Sequence, residues 1–114
     1  MKENIIKSKS FAFALRIVKL YHYLMIEKKE YILSKQLLIA GTANGAMVRE
    51  AERAESKADF IHKMSTALKE ANETEYWLKL LQQSEYLNKN NFASTDLEIK
   101  EILRLLISII KSSK

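Results

Sequence analysis

Asp59-Phe60-Ile61-His62, with Glu55 one turn earlier, places two carboxylates and an imidazole at helical i, i+4 and i+7 spacing. Helical bundles that hold two iron ions use a Glu-x-x-His pair from each of two helices, plus two further glutamates. The second half of such a set is missing. His22, the other histidine, has Lys19 three residues before it. The charges around Asp59 are read as helix surface, and no metal or other cofactor is expected. Glu70, Glu73 and Glu75 could do acid–base work only with separate environments and a substrate cleft. Nothing else in the sequence converges on them. No phosphate-binding glycine loop, nucleophile elbow or zinc-binding His-Glu-x-x-His occurs. The expectation is a protein without catalytic residues, not an enzyme. Tyr76-Trp77 could stack a base. An aromatic pair at helical spacing more often fills a core or an oligomer interface, and Tyr76, Trp77, Phe11 and Phe13 are assigned to an interface between copies.

Charge is the remaining chemistry. The chain has 114 residues and a formal net charge of +5. Residues 1–29 hold Lys2, Lys7, Lys9, Arg16, Lys19, Lys28 and Lys29 against Glu3 and Glu27, and the remainder is balanced. A basic segment on a neutral body suits an anionic partner. Lys2, Lys7, Lys9, Arg16 and Lys19 are the candidate nucleic-acid contacts. Absence of cysteine excludes disulfides and thiolate sites and fits a reducing cytoplasm. The apolar run from Phe11 to Ile26 carries Arg16 and Lys19 and lacks a cleavage signature, so neither a signal peptide nor a membrane span is expected.

Four helices must position these groups, at about 6–28, 31–53, 57–86 and 96–111, in one domain over 1–114. In the first, Phe11, Leu15, Val18 and Met25 form one apolar stripe, and Phe13, Ile17, Leu20 and Leu24 a second. Two stripes call for partners on two sides. In the second, Leu33, Leu37, Ala40, Asn44, Met47 and Ala51 keep a heptad register straight through Gly41 and Gly45. The register favours one continuous helix over a loop. The glycines, four apart, then make a thin face, and Ala67 and Ala71 of the third helix are its expected close-packing partners. Ser56-Lys57-Ala58-Asp59 resembles a capping box opening the third helix, and Thr95-Asp96-Leu97-Glu98 another opening the fourth. Leu87 to Ala93 is read as a polar turn. Short connections predict an all-α, antiparallel up-down-up-down four-helix bundle.

Several stretches also resemble one bacterial four-helix-bundle family. These are Leu33-Ser34-Lys35-Gln36-Leu37-Leu38, Gly41-Thr42, Gly45-Ala46, Arg49-Glu50-Ala51, Ser56 to Lys63, and Ala67 through Leu78, with Phe11-Ala12 in the first helix. Members were first noticed as reading frames in intervening sequences of large-subunit ribosomal RNA genes and are often labelled ribosomal proteins. The resemblance implies a ring-like homopentamer and places the glycine pair inside a helix. A similar protein, the accessory variability determinant of diversity-generating retroelements, is a basic pentameric barrel that binds nucleic acid and a reverse transcriptase. Where members often have Arg-Ser, this chain has Ile39-Ala40. The loss of that arginine shifts any phosphate binding toward the first helix. The resulting expectation is a cytoplasmic, homo-oligomeric, non-enzymatic protein that binds RNA, or else DNA, by its backbone. The alternatives are a protein-interaction scaffold or accessory subunit without nucleic-acid contact, and adsorption to an anionic membrane surface.

Overall fold

A computed structural model describes residues 2–114, with side chains from Ile5 onward. Four helices follow in order: α1 (Lys2–Ile26), α2 (Leu33–Ala51), α3 (Lys57–Gln83) and α4 (Lys89–Ser113). Each packs on its chain neighbours, and α1 closes the square against α4. The result is an antiparallel four-helix bundle 44 Å long and about 20 Å across.

Burial follows the heptad spacing. On α1 the inward residues are Ile6, Ser10, Phe13, Ile17 and Leu24. Leu37, Ala40, Asn44, Val48 and Ala51 of α2 meet Met64, Ala67, Ala71, Thr74, Leu78 and Leu81 of α3 across the core. Ile99, Ile102, Leu106 and Ile109 of α4 complete it. The buried hydroxyls turn back to carbonyls of their own helices: Thr74 Oγ1 donates to Glu70 O at 2.8 Å and Thr95 Oγ1 to Asn91 O at 2.8 Å. Asn44 Nδ2 does the same toward Gly41 O at 3.1 Å, and Asn44 Oδ1 has no partner.

Gly41 and Gly45 lie inside α2, as the unbroken register requires. The helix they face is α1, not α3. A Cβ on Gly41 would sit 2.9 Å from both Cγ atoms of Ile17, and one on Gly45 would sit 3.2 Å from the backbone oxygen of Ser10. Ala67 and Ala71 are fully buried in the core instead. The expected pairing with α3 is therefore corrected. Small residues occur on both flanks of α2, at Ala40 and Ala51 toward the core and at Gly41 and Gly45 toward α1. Spacing alone does not say which neighbour lies on which flank.

The helix ends are set by local hydrogen bonds. Lys29 ends α1 with φ 56°, and Glu30 N donates back to Leu24 O at 3.0 Å. The buried Glu30 carboxylate then accepts the N–H groups of Ile32, Leu33 and Ser34 at 3.0, 3.0 and 2.6 Å, and so caps α2. Ser34 Oγ donates to Glu30 O at 2.7 Å. At α3, Ser56 Oγ accepts Asp59 N at 3.0 Å while the Asp59 carboxylate accepts Glu55 N at 3.1 Å. The expected box is present, its return bond displaced by one residue. The fourth helix begins seven residues before the expected position. Asn88 Oδ1 accepts Asn91 N at 2.8 Å and is the cap, whereas Thr95 is buried in mid-helix and Asp96 pairs with Lys100 at 2.7 Å. The asparagine at Asn88 outcompetes the later Thr-x-x-Glu pattern because Leu87 is buried and fixes where the chain re-enters the bundle.

Two outcomes are expected. Gly41→Ala lowers stability by about 1–2 kcal/mol, because overpacking against the fully buried, β-branched Ile17 outweighs the helix-propensity gain of about 1 kcal/mol. Gly45→Ala is much milder, and chemical denaturation of the two variants gives the comparison. Burial raises the Glu30 carboxyl, but the backbone N–H groups of Ser34, Leu33 and Ile32 outweigh it and hold it below its ordinary value of 4.5. Its contribution is complete at neutral pH and is lost as pH falls through and below the usual glutamate range. Glu30→Ala costs about 2 kcal/mol at neutral pH and flattens the acid limb of the stability curve.

Candidate functional site

The candidate basic residues have distinct surroundings. Lys7 Nζ lies 2.6 Å from Glu52, just beyond α2. Lys9 Nζ is 3.0 Å from Glu101 and Arg16 Nη1 is 2.9 Å from Glu98, both on α4. Glu98 and Glu101 belong to the neighbouring α4, and Glu52 caps the C-terminal end of α2. The formal excess on residues 1–29 is therefore offset locally along the first half of α1. The pairs are half-exposed and screened by solvent, so they mute charge more than they stabilise the fold. Lys19 is exposed and makes no ion pair among the described residues. The side chain of Lys2 lies outside the described residues.

The four candidate interface aromatics separate. Phe13 is 2% exposed and belongs to the core, so its assignment to an interface is corrected. It lies two residues from Phe11, and two steps along a helix turn a side chain to the opposite side. Trp77 is partly buried against the core, and Tyr76, 60% exposed, meets it edge-on at 5.1 Å. Phe11 stands out from the bundle at 54% exposure, and Leu15, one turn on, at 51%. Between Phe11 and α2 runs a groove of about 250 Å³, lined by Phe11, Ala14, Thr42, Gly45, Ala46 and Arg49. The Arg49 guanidinium carbon lies 5.6 Å from the centre of the Phe11 ring, a cation–π distance. Ile39, 51% exposed, continues the apolar strip on the same face of α2. The glycines shape this strip: at Gly45 the groove floor is backbone.

The residues considered for metal or acid–base chemistry do not converge. Asp59 is held by Lys63 Nζ at 2.8 and 2.9 Å, which, with the Glu55 N–H, keeps its carboxyl below the ordinary range. His22 is exposed beside Tyr21, ring centres 6.0 Å apart. Burial first, and the Glu73 charge second, push the Glu70 carboxyl up. No group of three or more histidine, aspartate or glutamate side chains able to hold a metal ion occurs among the described residues. Among the described residues no helix is long and apolar enough to cross a membrane.

Comparison with known proteins places the chain. Residues 2–108 match the family described as 23S rRNA-intervening sequence protein. A solved structure from Bacteroides thetaiotaomicron VPI-5482, described as a protein of unknown function from the S23 ribosomal protein family, is 56% identical. The match covers 97% of this chain and 99% of that one, with a TM-score of 0.96. A comparison with curated proteins finds no match. With the profile spanning nearly all of its length and the same bundle in a 56%-identical relative, the chain belongs to the 23S rRNA-intervening sequence protein family.

Proposed function

We propose that this protein is a non-enzymatic, homo-oligomeric nucleic-acid-binding protein, with RNA as the first expectation. The observation that carries the reading is the apolar strip of Phe11, Leu15 and Ile39 around the α1–α2 groove. These side chains are half-exposed on a rigid pair of helices, rimmed by Arg49 and Lys7. Contiguous apolar surface of this kind marks an interaction site. A second set of exposed apolar residues, Tyr76 on α3 and Leu97 and Ile107 on α4, lies on the other half of the square. Two different patches suit head-to-tail contact, which closes into a ring when the rotation per subunit allows it. Assembly multiplies the net charge of each chain around the ring, and a polyanion is then the matching partner.

The intramolecular pairing of Lys7, Lys9 and Arg16 favours a second reading, a scaffold whose partner is a protein. In that case the apolar strip receives the partner and the lysines serve solubility. The two readings differ in their salt dependence.

Phe11→Glu combined with Leu15→Glu is expected to reduce the wild-type assembly to a single chain of 13.2 kDa, with helix content unchanged. Light scattering coupled to gel filtration, with circular dichroism, checks this. A wild type that already runs as one chain rejects the assembly reading. Titrating salt against binding to a labelled structured RNA and a DNA duplex is expected to give a log-linear loss of affinity. Absence of binding even at low salt leaves the protein-partner reading.

A further inference from the structure

The lysines that α1 leaves unpaired gather at one end of the bundle. Lys19 and Tyr23 stand one turn apart on α1, and Lys28 follows just past its end. Opposite them, the start of α4 supplies Lys89 and Asn91. Two shallow grooves connect these residues. One, of about 220 Å³, is lined by Arg16, Lys19, Tyr23 and Asn91. The other, of about 290 Å³, is lined by Tyr23, Lys28, Asn88 and Lys89, with Glu85 as its carboxylate. Tyr23 is a wall of both and is 36% exposed. Lys19, Lys28 and Lys89 make no ion pair among the described residues.

We propose that this Tyr23 strip is a binding site for single-stranded nucleic acid, with a base stacked on the tyrosine ring and phosphates on Lys19, Lys28 and Lys89. The proposal rests on the nucleic-acid reading above and assigns it a place and a strand preference. Electrostatics decide the place. A phosphate at Lys7, Lys9 or Arg16 must share its cation with Glu52, Glu101 or Glu98 and is repelled by that carboxylate. At the other end of α1, Lys19 in one groove and Lys28 and Lys89 in the other are exposed and make no ion pair among the described residues, and Glu85 is the one carboxylate that lines either groove. Geometry decides the strand. Every base has a π-face, so an exposed tyrosine between lysines holds bases without reading sequence. A base inside a duplex offers only its edges, and its face reaches Tyr23 only when unstacked. From Arg16 to the end of α1 at Ile26 the seam with α4 runs roughly 15 Å at helical rise, long enough to lead a strand along it. The Asn91 amide adds a donor for phosphate or sugar oxygens.

The test is fluorescence anisotropy of the full-length protein, in its own oligomeric state, with labelled oligouridylate and with a hairpin duplex across a salt series. The variants are Tyr23→Ala, Tyr23→Phe, the triple Lys19→Gln/Lys28→Gln/Lys89→Gln, and the double Lys7→Gln/Lys9→Gln. Oligouridylate is expected to bind more tightly than the duplex. Tyr23→Ala is expected to weaken it roughly tenfold or more, whereas Tyr23→Phe, which keeps the ring face, stays near wild type. The triple lowers the log–log salt slope by about 2, as loss of three single-strand phosphate contacts requires. The double leaves the slope nearly unchanged. If wild type binds with salt dependence but Tyr23→Ala and the triple match it, or the loss follows the double, the Tyr23 site is overturned while nucleic-acid binding stands. If wild type binds neither probe at low salt, both fall.

Discussion

The approach of α2 to α1 at Gly41 governs much of the remaining geometry. The Cγ atoms of Ile17, itself fully buried, occupy the space that any side chain at Gly41 would need. The two backbones are drawn together there, and four residues along the same contact is repeated between Gly45 and Ser10. That approach fixes the rotation of α1. Ile6, Phe13, Ile17 and Leu24 turn inward, which leaves Phe11 out beside Thr42 and Ala46, with Leu15 exposed one turn on. It also brings Lys7 level with Glu52. The opposite seam of α1, toward α4, has no glycine and is the more open. Grooves run along it, bridged by the Lys9–Glu101 and Arg16–Glu98 pairs.

The helices and their inward faces were legible in the sequence because a heptad needs only the types of residues already in hand. Leu37, Ala40, Asn44 and Ala51 are buried as their spacing implied, and so are Met64, Ala67, Ala71, Thr74, Leu78 and Leu81. What was not legible was relational. On α1 two apolar stripes compete for one core, and only packing against both α2 and α4 shows that Phe13 enters it while Phe11 stays out. The partner of the glycine face is a fact about the neighbouring helix, and the glycine sequence does not carry it. At the start of α4 two capping patterns competed, and the burial of Leu87 favours Asn88. Glu30 is a related case. A glutamate three residues ahead of a helix fits no standard cap, yet Lys29 in the left-handed region folds its carboxylate back onto three N–H groups.

Charge shows the same division between what a sequence counts and what a fold leaves free. The formal excess belongs to residues 1–29, but formal charge is not available charge. Opposing carboxylates reduce the field over the first half of α1, and screening at physiological salt confines what is left to about 8 Å. Lys19 and Lys28, with Lys89 from the start of α4, line the grooves and make no ion pair among the described residues. A count by segment could not find Lys89, because its contribution depends on where α4 starts. An expected start near residue 96 would have left it in a loop.

A helix at the corner of a four-helix square has two outward-facing sides, and α1 uses them differently. Phe11 faces the groove it shares with α2, whereas Lys19 and Tyr23 face the grooves shared with α4. The two functions proposed for this helix therefore do not compete for the same surface. A neighbouring copy seated on Phe11 and Leu15 would leave the α4 side of α1 open to solvent. In a closed ring the Tyr23 strip would then recur once per subunit at the same height. Repetition matters because a flexible strand held weakly at one strip meets the next at high effective concentration. A contact too weak to matter in one chain becomes useful when assembly repeats it, and that dependence ties the apolar strip to the basic one.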